Sequence, residues 1–140
     1  MNQQCILGKI GFKSEVLSFF RPFLTSSSEL AAFEYMDNGL PTAVEYLSVG
    51  GSLVPSTTGI WTSGAENTFQ VRDLYLFSSA LDAISFFHFY KEKLRFPGQV
   101  GIVSLGLLPS FSQFLALRKS YPNAKIHFVF ESSLVGRLLD

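Results

Sequence analysis

The second half of the chain alternates short apolar runs with longer amphipathic ones. Residues 74–77 are apolar throughout, and Ser78 and Ser79 then lead into an amphipathic segment over 80–94. Pro97 and Gly98 predict a turn, and residues 100–105 predict a second strand of the buried type. Pro109 opens a helix that carries Phe111, Phe114, Leu115 and Leu117, and Tyr121-Pro122-Asn123 ends it. Residues 125–130 predict a third strand and 134–140 the start of a third helix. Strands alternating with helices of this length predict right-handed crossovers and a parallel sheet.

The first 70 residues are less regular. Residues 5–10 predict a short strand. Ser14 is placed to cap a helix whose apolar face holds Val16, Leu17, Phe19, Phe20, Phe23 and Leu24. Ser26 and Glu29 have capping-box spacing before Leu30, Ala31, Ala32 and Phe33, which predicts a second helix ended by Asn38-Gly39. Residues 43–49 alternate as a strand does, and Gly50-Gly51 suits a hairpin turn with the chain returning over 52–55. Trp61 reads as a core or edge anchor. The pattern as a whole predicts an α/β chain in two parts. Residues 1–70 form an α+β segment with a hairpin that packs on or extends the core, and residues 71–140 form an α/β unit.

Composition adds a large core and little charge. The chain is 47% hydrophobic with 15 Phe, which excludes a polar, disordered chain. Charged residues are 16%, against about 25% in ordinary soluble domains. A sparsely charged surface predicts contact with a protein partner or a homo-oligomer. The formal net charge is zero, so nucleic-acid binding gains no support from charge. The one basic group, Lys91, Lys93 and Arg95, reads as a solvated helix end. Cys5 is the single cysteine, so no disulfide closes within the chain. No apolar run reaches the roughly 18 residues of a membrane span, and residues 1–9 lack a secretory signal. A cytoplasmic protein away from membranes is the expectation.

Two stretches carry a family likeness. Residues 74–85 read LYLFSSALDAIS, with Ser78 at the end of a strand and Asp82 four residues later. Residues 126–137 place Glu131, Ser133, Gly136 and Arg137 after another strand. Together they resemble the motifs of the TOPRIM family, a strand ending in Glu with Asp four residues on, then a strand followed by Asp-x-Asp-x-x-Gly-Arg. Residues 101–106 resemble the family's middle strand and glycine turn. The likeness covers about half the chain and is nearest to the modules of primase and mobilisation-type proteins of bacterial mobile elements. It implies a Rossmann-like TOPRIM unit with its site at the carboxyl ends of the strands. Members of the family usually continue beyond the Gly-Arg pair, so the unit is expected either to be trimmed after Asp140 or to be completed by a partner or a longer parent protein. In active members of the family the Glu serves acid/base chemistry and the Asp residues hold Mg²⁺.

By that alignment, Ser78 and Ser133 stand at two of the four acidic positions, and Asp82 and Glu131 remain. A serine hydroxyl carries no charge and does not titrate near neutral pH, so it cannot replace a catalytic carboxyl. Mg²⁺ needs hard oxygen ligands, commonly one or two carboxylates with substrate phosphates. Asp82 and Glu131 are therefore the candidate metal ligands, and no other cofactor is implied. The same residues have structural readings. Ser79 and Asp82 have capping-box spacing, Ser132 or Ser133 can cap the last helix, Gly136 can allow close packing, and Arg137 can pair with Glu131. His88 and His127 read as satisfied core or edge residues, and no Cys/His set, phosphate loop or dinucleotide fingerprint is present. The leading expectation is a non-catalytic TOPRIM-like module for protein interaction or weak nucleic-acid or nucleotide binding, in DNA replication or a mobile element. The alternatives are a divergent Mg²⁺-dependent enzyme, primase- or nuclease-like, using Asp82, Glu131 and Asp140, and a structural or assembly protein.

Overall fold

The computed structural model describes residues 5–94 and 97–129. Two four-stranded sheets share one main core. In the first, β1 (Thr25–Ser26), β2 (Leu30–Asp37), β3 (Leu40–Ser48) and β4 (Gly51–Leu53) are antiparallel in sequential order. In the second, β5 (Trp61–Gly64), β6 (Asp73–Phe77), β7 (Val100–Ser104) and β8 (Lys125–Phe128) stand in the order β5-β7-β6-β8. Strands β7, β6 and β8 are mutually parallel, and β5 is antiparallel to β7. The helices are α1 (Ile6–Lys9), α2 (Ser14–Phe20), α3 (Ala80–Tyr90) and α4 (Phe111–Ser120).

The chain is thus α/β with a mixed sheet, not a purely parallel one. The antiparallel strand β5 comes from the first half of the sequence. The second half forms its elements where the apolar runs predict them. Helix α4 starts on a capping box, in which Ser110 Oγ accepts from Gln113 N–H and the Gln113 side chain accepts from Ser110 N–H. The predicted helix over 134–140 lies outside the described residues.

Three expectations for the first half are corrected. Residues 5–10 wind into the single turn α1 instead of a strand. Lys9 and Ile10 donate to the carbonyls of Cys5 and Ile6, and Gly11, at φ 116°, leaves the helix in a conformation glycine adopts freely. Residues 30–37 form strand β2, not a helix. Ala31, Phe33 and Tyr35 point inward while Glu34 and Met36 face out, and this period of two sets the strand. The capping-box spacing before it belongs to a turn, where Ser27 Oγ accepts from the N–H groups of Glu29 and Leu30. Asn38 (φ 52°) and Gly39 (φ 79°) then close a two-residue hairpin rather than a helix end. At α2, Lys13 takes the cap position without a side-chain bond, and Ser14 lies inside the helix.

The main core lies between the inner face of the first sheet, helices α1 to α3 and one face of the second sheet. It includes Phe20, Phe33, Trp61, Phe77, Ile84 and Ile102. A smaller cluster on the opposite face of the second sheet packs Leu74, Leu76, Val103 and Leu105 beneath Leu117 and Tyr121 at the end of α4. Helices α3 and α4 therefore cover opposite faces.

That arrangement defines one special place. The chain leaves β6 for α3 on one face and leaves the adjacent strand β7 for α4 on the other. In open α/β sheets the crevice outside the carboxyl ends of two such strands is where ligands bind.

Candidate functional site

At this place Phe77, Ser78 and Ser79 at the end of β6 face Ser104, Leu105 and Gly106 at the end of β7, and all but the half-buried Ser78 are buried. Ser79 has extended backbone and its Oγ accepts from Asp82 N–H at 3.0 Å. It is the N-cap of α3, as the serine spacing predicts, and Asp82 sits in the first turn. Ser78 lies half-buried in the link between strand and helix. Ser78 thus directly follows β6. Glu131, Ser133, Gly136 and Arg137 lie outside the described residues, as does Asp140.

The first N–H groups of a helix lack partners within it, and such groups bind phosphate or carboxylate oxygens. In α3 they point at a carboxyl from the first sheet. Glu45 Oε1 accepts from Ala80 N–H at 2.7 Å, and Oε2 accepts from Leu81 N–H at 3.1 Å. Glu45 is 1% exposed. It reaches this place from β3, where it alternates with Ala43 and Leu47 on the inward side.

A relay of hydroxyls supports it. Tyr35 on β2 donates its O–H to Glu45 Oε1 at 2.6 Å. Its oxygen lies 2.6 Å from Ser104 Oγ. Since the tyrosine proton is committed to Glu45, Ser104 is the donor in that bond. Ser104 Oγ in turn accepts from Gly106 N–H at 3.2 Å. Every donor in the series points toward the carboxyl, and the series joins the ends of β6 and β7 through two residues of the other sheet.

Burial pushes the Glu45 carboxyl above its usual range, against the pull of Tyr35, Ala80 and Leu81, and the nearby Asp82 carboxyl adds to the rise. Burial also raises Tyr35, with Glu45 as the next cause. A carboxyl raised on folding holds its proton more tightly in the folded chain. Its favourable contribution is complete below the ordinary carboxylate pKa and is lost as pH rises through the folded value. The stability of the native chain is therefore expected to fall relative to Glu45→Gln as pH rises above the ordinary carboxylate range. Urea midpoints of the two proteins across that range check this.

A second segment closes the crevice from above. Pro55 carbonyl accepts from Leu107 N–H at 2.9 Å. Gly106 has φ 82°, and a Cβ there would stand 2.6 Å from that carbonyl oxygen, so only glycine fits the turn. Gln113 is fully buried, and its Nε2 donates toward the carbonyls of Thr57, Gly59 and Leu105 at 2.7–3.0 Å. One side chain thus ties the covering segment, the end of β7 and the start of α4 together. Gln113→Leu is expected to cost about 2 kcal/mol, because buried carbonyls and the reciprocal cap lose their donors and acceptor. Chemical denaturation measures it.

The donor set decides what the crevice suits. N–H and O–H groups converge there, which is the polarity of an anion site. Among the described residues no three His, Cys, Asp or Glu side chains group as a metal site.

The two histidines lie elsewhere. His127 Nε2 is 2.8 Å from Asp73 Oδ1, and its ring stacks on Tyr75 at 4.6 Å. Both partners are at the amino end of β6 or in its middle, away from the crevice. His88 is half-buried against Phe12, and its Nδ1 is buried without a hydrogen-bond partner among the described residues. Lys91, from the basic group, pairs with Glu15 at 2.8 Å.

Glu45, Tyr35 and Gln113 are the residues that sequence reasoning missed. A signal existed for Glu45. In the alternating run of 43–47 it shares the inward parity of Ala43 and Leu47, and an acid on an inward position calls for partners. No helix among the described residues is long and apolar enough to cross a membrane. Comparison with family models, with curated proteins and with solved structures finds no match.

Proposed function

We propose that this chain is a non-catalytic module that acts by binding another protein, on a frame that resembles a TOPRIM domain with two of its four acidic positions replaced by serine. One observation carries the reading. The N–H groups at the start of α3, which would hold a substrate phosphate at a switch-point crevice, are taken by Glu45 of the same chain. A substrate would have to displace a buried carboxyl and the hydroxyl relay behind it. The serines at positions 78 and 133 support the same reading, because neither can act as an acid/base group near neutral pH. The setting in DNA replication or mobile elements rests on the resemblance alone.

The competing enzyme reading requires Asp82 and Glu131 to share a metal ion. The two readings separate in assays of Mg²⁺- and Mn²⁺-dependent strand cleavage and primer synthesis. We expect no activity above background, and the same background from Asp82→Asn. Activity that Asp82→Asn abolishes overturns the proposal.

A further inference from the structure

The edges of the two sheets meet at a single bridge. Ile60, just before β5, and Met36 of β2 exchange backbone hydrogen bonds at 2.9 and 3.0 Å. Past this bridge the strands diverge, and a pocket of about 390 Å³ opens between them. Backbone polar groups alternate sides along a strand. Ile60 turns its groups to β2, so Thr62 also turns its N–H and C=O away from β7. Ala65, of the other parity, donates to Val100 at the start of β7. By the same alternation Glu34 turns its N–H and C=O from β2 into the gap. No backbone bond across the gap joins them among the described residues. Strand edges with unpaired backbone groups are pairing sites for another chain, and Thr62 has neither the charge nor the ring that guards such an edge.

The pocket has apolar walls and one charge. Phe23, Leu24, Met36 and Trp61 line it together with Thr62, and Glu34 is the one charged residue among its lining. Glu34 is exposed on the outer face of the first sheet. Among the described residues its carboxylate is in no ion pair. Arg21, next to the lining residue Pro22, is not paired with it either.

We infer that this pocket docks an extended, basic segment of a partner protein. The segment's main chain bonds Thr62 on the free edge of β5 and continues the second sheet. One arginine or lysine of the segment lays its aliphatic stem on the apolar walls and sets its charge on Glu34. Long basic side chains combine those two parts. Strand addition draws affinity from backbone bonds and selectivity from pockets for alternate side chains. A second copy of the same edge is the poorer occupant, because a two-fold pairing brings two Glu34 carboxylates together and like charges oppose it. A nucleic acid would bring phosphates to the same carboxylate. The inference rests on the proposed binding function and names the chemistry of the partner.

The test uses the full chain and short synthetic peptides labelled for fluorescence anisotropy. Each alternates Thr and Val, one with a central Arg and the other with Glu in its place. The Arg peptide is expected to bind at least about tenfold more tightly than the Glu peptide, with the difference shrinking in high salt. Methylating alternate amide nitrogens of the Arg peptide blocks one of its edges at a time. One of the two methylated forms is expected to lose binding and the other to keep it. Glu34→Gln, at an exposed position, is expected to remove the preference for Arg while leaving the thermal midpoint unchanged. Thr62→Pro removes the N–H on the free edge, where proline is tolerated, and is expected to weaken binding at least about tenfold. The inference is overturned if neither peptide binds, if both bind equally, or if both methylated forms bind as the parent does. It is also overturned if Glu34→Gln keeps the preference, or if sedimentation shows a dimer that Thr62→Pro dissociates. The methylated peptides decide the backbone contact even if Thr62→Pro fails to fold. None of these outcomes alters the cleavage and primer-synthesis assays, so the two proposals fail separately.

Discussion

Replacing Glu45 with alanine is expected to lower stability by about 3 kcal/mol, a drop of about 10 °C in the thermal midpoint of a chain this size. The effect follows from what stays behind. Ala80 N–H, Leu81 N–H and the Tyr35 hydroxyl all point at the carboxyl, and alanine leaves the two N–H groups buried without that acceptor, while the Tyr35 hydroxyl is left with Ser104 Oγ alone. A buried donor that loses its partner costs about 1–3 kcal/mol. Relief from burying the acid offsets part of this sum. Glu45→Gln separates the two effects. Its amide oxygen still accepts from Ala80 and Tyr35, and only Leu81 then faces an N–H₂ group. The loss there is expected to be about 1 kcal/mol. Equal losses for alanine and glutamine would mean that the oxygen contacts carry little of the stability.

Trp61→Ala is expected to cost about 3–5 kcal/mol, enough to leave much of the chain unfolded if its stability is ordinary. Trp61 is 2% exposed. Its ring lies between Phe20, at 6.1 Å and nearly parallel, and Phe33, at 5.7 Å and edge-on. Its Nε1–H donates to the Phe23 carbonyl at 2.8 Å. One residue on β5 therefore joins α2, the first sheet and the second sheet. No single neighbour can move into the space without leaving another contact. Trp61→Phe keeps part of the ring packing but leaves the Phe23 carbonyl without its donor, so an intermediate loss of about 2 kcal/mol is expected. Urea denaturation followed by circular dichroism measures both.

Much of the second half was legible because its signals are local. Apolar runs of strand length are bounded by serines, glycines and prolines, and Ser79 and Ser110 cap the helices that the spacing predicts. The first half was less legible for a physical reason. Leu30, Ala31 and Ala32 favour helix, and the serines before them favour a cap, yet pairing with β3 decides the outcome. Strand preference depends on such neighbours more than helix preference does. The decisive alternation, Ala31, Phe33 and Tyr35, begins inside the segment that local rules assign to a helix.

The site divides in the same way. Ser78 after β6 and Asp82 in the first turn of α3 could be placed from their spacing, since strand, cap and helix follow each other directly. Glu45 lies 35 positions from Ala80, and no local pattern joins them. Only parity hinted that Glu45 faces inward, and parity does not say what it meets there. Ser104 and Gln113 were hidden for a related reason. Each looks like an ordinary strand-end or helix residue until the segment over 55–59 is laid across the crevice.

Glu45 occupies the anion position at the start of α3. Removing its side chain should turn that position into one that a small anion can enter. The direct measurement is the thermal midpoint of the native chain and of Glu45→Ala in sodium formate against sodium chloride at matched ionic strength. Formate is expected to raise the midpoint of the variant by about 3 °C or more, through binding to the folded state alone, and to leave the native chain unchanged. An equal response from both proteins, or none from the variant, would contradict it.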